Sequence, residues 1–100
     1  MVDDDLYTVV WTPGFVEDVM LAVEYVDRVL KAPFAARNLL DGISAQLENV
    51  RAMPTSAVTR TGLHGERIYM VSYKEWSIYY TVEQRAIKAI GLKDRLQRRA

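Results

Sequence analysis

The hydrophobic period of this chain changes once, at Met53-Pro54, and that change limits the fold more than any other feature. Before it, apolar residues recur every three or four positions, the spacing of a helix with one buried stripe. Phe15, Val19, Val23, Val26 and Leu30 predict an amphipathic helix over 13–30, and Ala36, Leu39, Leu40, Ile43, Leu47 and Val50 predict a second one from Pro33. Thr12-Pro13 reads as an N-cap and N1 pair, because proline at N1 loses only an N–H that has no partner there. Glu17 and Asp18 are expected in the first turn, against the positive end of the helix dipole. The connection between the helices is so short that they must pack antiparallel as a hairpin.

After Pro54 the period is two. SAVTR (56–60), IYMVSY (68–73), WSIYYTV (76–82) and AIKAIGL (86–92) read as strands at hairpin spacing, and LYTVVW (6–11) is a β-rich strand ahead of the helices. The expected class is α+β: an N-terminal strand and an antiparallel helical hairpin packed on a mostly antiparallel sheet, in the order β-α-α-β-β-β. One hundred residues suit one domain and one core, so residues 1–100 are expected to form a single unit.

Composition excludes several functional classes. The chain has no cysteine, and therefore no disulfide framework, thiolate nucleophile or cysteine-based metal site. No His/Asp/Glu cluster has metal-ligand spacing and no glycine-rich phosphate loop is present, so neither a metal nor another cofactor is expected. No apolar run approaches the ~20 residues of a membrane span, and MVDDDLYTVV lacks the basic start of a signal peptide, which together predict a cytoplasmic protein that does not enter the membrane. The net charge of zero conceals an asymmetry: residues 1–50 carry nine acidic and three basic side chains, residues 51–100 four acidic and ten basic. A basic C-terminal half suits phosphates or an acidic partner.

If Lys74-Glu75 is a two-residue turn, Tyr73 opposes Trp76, Val71 opposes Ile78, Tyr69 opposes Tyr80 and Arg67 opposes Val82, all on one face. That face, joined by Ile87 and Ala89, is the more apolar and should lie under the helices. The other collects Ile68, Met70, Ser72, Ser77, Tyr79, Thr81, Lys88 and Ile90.

Element order and local signatures together resemble the RelE/ParE superfamily of small toxins, the toxic halves of type II toxin–antitoxin pairs. The likeness runs from YTVVWTPGFVEDVMLAVEYV through APFAARNLLDGISAQLENVRAMP to RIYMV, WSIYYTV and IKAIGLKDR. It implies a cognate antitoxin as partner and one of two actions: cleavage of mRNA on the ribosome by RelE-like members, or poisoning of DNA gyrase by ParE-like members. An RNase must steady an anionic transition state and move protons. The family's basic sheet positions fall here on Ile68 and Met70, and its strand arginine on Ser77. Lys93 and Arg95 match the basic pair of the family's G-K-R-x-R ending, but the tyrosine common after it is absent. The candidate catalytic set is therefore Lys93, Arg95, Arg60 at a strand end and His64, the one histidine, whose imidazole suits proton transfer near neutral pH. Lys88 is the cation placed on the outward face, and Tyr79 offers a ring for stacking an unpaired base, so these two are candidate substrate contacts. With so few cations on that face, a gyrase inhibitor, or a relative that only binds its antitoxin, stands beside the nuclease.

Overall fold

The computed structural model describes residues 6–95. Strand β1 (Thr8–Trp11) leads into helix α1 (Pro13–Glu24), which continues as a π turn (Tyr25–Val29) before α2 (Pro33–Asn49). Strands β2 (Val58–Thr61), β3 (Arg67–Tyr73), β4 (Trp76–Glu83) and β5 (Ala86–Asp94) follow. Four strands come after the helices, one more than the shorthand β-α-α-β-β-β allows. The strand expected at 56–60 begins at Val58, because Pro54–Ser56 forms a 3-10 turn in which Ser56 donates to the Met53 carbonyl. The sheet order is β1-β5-β4-β3-β2, antiparallel except for β1 beside β5. The architecture is α+β, two helices on a five-stranded mostly antiparallel sheet. The acidic residues 3–5 and Arg98 and Arg99 lie outside the described residues.

Each element follows from local chemistry. Thr12 caps α1, its hydroxyl oxygen accepting from the Phe15 N–H at 3.3 Å, with Pro13 at N1. Glu17 and Asp18 lie beyond the first turn, and the Asp18 carboxylate is engaged by the sheet instead of the helix end. The widened turn at Tyr25–Val29 is capped by Leu30, and Lys31 after it, with a left-handed φ of 53°, reverses the chain toward Pro33. Lys74 takes the same conformation in the two-residue β3–β4 turn. The register there is the one the sequence implies, Tyr69 with Tyr80, Val71 with Ile78 and Tyr73 with Trp76. Arg67 instead pairs with Thr61 of β2 and is exposed.

The core lies between the helices and the inner face of the sheet. Phe15, Val19, Ala22 and Val26 meet Ala36, Leu39, Ile43 and Leu47, and both rows cover Tyr69, Trp76, Ile78, Tyr80, Ile87, Ala89 and Leu92. Two expected stripe residues, Leu30 and Leu40, are exposed. Leu30 follows the π turn, whose wider pitch carries it off the stripe, and Leu40 faces a groove on the outer side of the hairpin. α2 and β3 approach closely at Gly42: a Cβ there would stand 2.1 Å from the Tyr73 ring, so only glycine lets the ring lie across the helix.

Tyr80 ties the sheet to the end of the helical segment. Its ring stacks on Tyr69 at 5.5 Å, and its hydroxyl donates to the Pro54 carbonyl at 2.7 Å. Burial, reinforced by neighbouring Tyr69, pushes the phenol up from 10.0 to about 12. The unfolded phenol ionises near pH 10, so this contribution to stability is complete below that pH and is lost as pH rises toward 12. Tyr80→Phe should cost about 1–3 kcal/mol at neutral pH by leaving a buried carbonyl unpaired. In denaturant titrations the gap between wild type and variant should then narrow between pH 10 and 12; a constant gap would count against the buried phenol as its source.

Candidate functional site

The outward face of the sheet is built in rows. Ser72, Ser77 and Lys93 lie side by side across β3, β4 and β5, and Val58, Met70, Tyr79 and Gly91 form the next row. Ser77 is 3% exposed despite facing outward, being small and flanked by a strand on each side. The Arg95 guanidinium reaches back to the Ser72 hydroxyl at 3.2 Å, and its backbone N–H donates to the Glu75 carbonyl at 2.6 Å.

Between these rows and the β2 edge lies a hollow of about 290 Å³ lined by Arg60, Thr61, Ile68, Tyr79, Ile90, Gly91 and Lys93. A β-bulge accompanies it. Tyr79 pairs with Gly91 but Tyr80 with Ala89, so Ile90 has no partner across the ladder and β5 bends there. Beyond the bulge the Leu92 N–H donates to Asp18 Oδ2 at 3.1 Å, so a side chain of α1 replaces a ladder partner. On the solvent side the Arg60 guanidinium lies 5.7 Å from the Tyr79 ring centroid, within cation–π range.

Of the residues expected from sequence, Arg60, Lys93 and Tyr79 line this one hollow. Arg95 is beyond it, on Ser72. Lys88 is held in an ion pair by Glu83, whose carboxyl it keeps below the usual range by hydrogen bond and charge. His64 is exposed in the β2–β3 turn, where its backbone N–H donates to Glu66 Oε1, and it does not line the hollow. Strand alternation already places Ile90 on the outward face. What sequence reasoning misses is the bulge beside it, which has no local signature and which buries Leu92 while leaving Lys93 on the outer side. Asp18 does carry a trace, since it falls between Phe15 and Ala22 on the flank of the buried stripe.

A second concavity, about 920 Å³, runs along the outer side of the helical hairpin. Val16, Met20, Leu21 and Leu40 line it and remain exposed, Met20 by 66% and Leu21 by 58%. Glu17, Glu24, Asp27, Arg28 and Arg37 supply its charges, Arg28 pairing with Glu24. Exposed apolar surface of this kind marks an interaction site more often than a ligand pocket. Among the described residues no helix is long and apolar enough to cross a membrane, and no group of three or more His, Cys, Asp or Glu is placed to hold a metal.

Comparison with known proteins bears on the family and the fold. The family model described as the ParE toxin of the type II toxin-antitoxin system, parDE, matches residues 9–97. The chain belongs to the ParE toxin family. A solved structure of the chromosomal ParDE toxin–antitoxin system from P. aeruginosa has the same fold, with a TM-score of 0.72 over 90% of this chain and 97% of that one, at 14% identity. No curated protein matches the chain significantly. Family membership supports the superfamily resemblance and gives the toxin half of such a pair as the chain's class.

Asp18→Ala tests whether α1 holds the bulge. The expected result is a loss of about 1–2 kcal/mol in stability, as for an unpaired part-buried N–H, with amide exchange at Leu92 accelerated more than at Ile78. Unchanged exchange at Leu92 would show that the carboxylate does not hold that strand.

Proposed function

We propose that this ParE-family toxin arrests growth by binding DNA gyrase, without cutting RNA, and that a cognate antitoxin neutralises it. The observation that carries the reading is the outward face of the sheet. Ile68, Met70 and Ser77 occupy positions where an mRNA-cutting relative has cations. The lining of the hollow between Arg60 and Lys93 has no carboxylate or imidazole, the commonest proton acceptors, and leaves only Lys93 and Tyr79 there to move a proton. Two cations can steady an anion, but hydroxyl attack on a phosphate also needs a group to accept a proton. In this reading Arg60, Lys93 and Tyr79 are contact residues, Arg95 extends the basic surface, and Lys88 and His64 stand apart.

The ribonuclease reading keeps one supporting observation, that Arg60 and Lys93 share a concavity able to hold a phosphate. The antitoxin is assigned to the helical groove, where Met20, Leu21 and Leu40 suit the apolar stripe of an amphipathic segment. The dissimilarity of the two surfaces makes the assignments separable.

Induction in cells lacking the antitoxin should arrest growth with DNA damage and intact mRNA, and purified toxin should inhibit gyrase supercoiling. Codon-positioned mRNA cuts that vanish in Lys93→Ala/Arg95→Ala would replace this reading with the ribonuclease, and absence of arrest would leave a chain that only binds its antitoxin. Met20→Asp/Leu21→Asp should preserve arrest and weaken rescue by the co-expressed antitoxin more than tenfold; full rescue would remove the groove as its seat.

A further inference from the structure

We propose that, when its antitoxin is absent, the chain pairs with a second copy of itself, the two helical hairpins packing face to face across their outer grooves. The helical layer is apolar on both sides. Its inner stripe covers the sheet, while Val16, Met20, Leu21 and Leu40 line the groove outside and remain exposed. Helices with apolar residues on more than one side belong inside a core, not at its surface. The charged groups of the groove are strung along its length instead of converging on one point, as a small-ligand site requires.

The charges favour the second copy as occupant. All three cations of the first fifty residues, Arg28, Lys31 and Arg37, lie at the closed end of the hairpin, where α1 turns into α2. Glu24 and Asp27 offset them only in part. Toward the open end the groove has Glu17 and no cation. Among the described residues neither Glu17 nor Arg37 is in an ion pair. A two-fold interface sets one patch against itself, so every contact is made twice. Two hairpins packed antiparallel therefore bring each Glu17 to the basic end of the other copy. Met20, Leu21 and Leu40, at mid-length, meet near the axis. The product is a four-helix bundle held by ordinary ridge-and-groove packing. Its size sets its strength. The 17 residues of α2 span about 25 Å, and two helices side by side are roughly 20 Å wide, so each copy offers on the order of 500 Å². Together that is about 1,000 Å², the lower bound of a specific interface. The dimer is thus reversible, and an antitoxin in the same groove displaces it. That displacement rests on the antitoxin's assignment to the groove; the dimer does not.

The test is sedimentation velocity of the purified full chain, without antitoxin, over a concentration series. The expected result is a monomer–dimer equilibrium that dissociates on dilution and weakens in high salt. Met20→Asp/Leu21→Asp should raise the dissociation constant more than tenfold, because each copy buries the new charges. Both side chains are exposed in the monomer, so this variant keeps its fold. Glu17→Arg alone should weaken the dimer about tenfold by setting like charges together. Glu17→Arg/Arg37→Glu should restore most of the loss, since the exchanged charges remain complementary. The chain has no cysteine, so Leu40→Cys, near the axis, should give a disulfide-linked dimer on mild oxidation. Phe34→Cys should not, because the two closed ends lie at opposite ends of the bundle. A monomer at every concentration overturns the proposal. So does a dimer that survives Met20→Asp/Leu21→Asp, one that the charge exchange weakens further, or one linked through Phe34→Cys and not through Leu40→Cys. With no antitoxin in the experiment, a missing dimer leaves the antitoxin's seat in the groove standing. Full antitoxin rescue of Met20→Asp/Leu21→Asp would remove that seat and leave the dimer.

Discussion

The junction between the start of α1 and strand β5 is the constraint on which the rest of the molecule depends. Thr12 gives both its backbone N–H and its hydroxyl to the Ala89 carbonyl, at 3.2 and 2.8 Å, while its oxygen also caps the helix. Less than two turns later Asp18 takes the Leu92 N–H. These contacts bracket the bulge, so the helix supplies hydrogen bonding at the point where the β4–β5 ladder is irregular. A polar group left unpaired between helix and sheet would cost far more than the bond contributes when made. The junction also places β1 against β5 in parallel, which puts β5 inside the sheet with neighbours on both sides.

From that junction the two surfaces of the molecule acquire different chemistries. The helical hairpin turns its buried stripe to the sheet and leaves Met20, Leu21 and Leu40 along an outer groove with acidic residues on its rim. The sheet turns Tyr, Trp and Ile inward and leaves a sparsely basic outer face, with its concavity where β5 bends. Among the described residues, the helical side carries Glu17, Glu24 and Asp27 along its groove, while Arg60, Lys93 and Arg95 belong to the sheet side. At physiological salt such fields reach only about 8 Å, so the charges of one side have little influence at the other.

Much of this is legible from pattern alone. The β3–β4 register follows from a two-residue turn and strict alternation, since a slip by one residue would send Tyr69, Val71, Ile78 and Tyr80 to solvent. The cap at Thr12 and the two helices follow equally from local chemistry. Arg60 and Lys93 are recognisable as candidates separately, from charge and from family likeness. Periodicity alone places Leu30 and Leu40 in the core, because it marks a stripe but neither its width nor a change of helical pitch. The π turn moves the first, and a hairpin with a groove outside it carries apolar residues on both sides, which exposes the second. His64 and Lys88 stand out by residue type, while their positions depend on a turn and on an ion pair with Glu83 that type does not reveal.

By itself the sequence determined the α+β class, the helical hairpin, the pairing of the central strands β3 and β4 and which face of those two is turned to the core. All of these rest on short-range spacing and the cost of exposing apolar area. Only the tertiary structure decided that Arg60 and Lys93, 33 positions apart, line one hollow with Tyr79. The reason is physical: the β5 bulge changes which residues of that strand face outward, and the Leu92 N–H beyond it is met by Asp18, 74 positions away, a contact that local spacing does not encode.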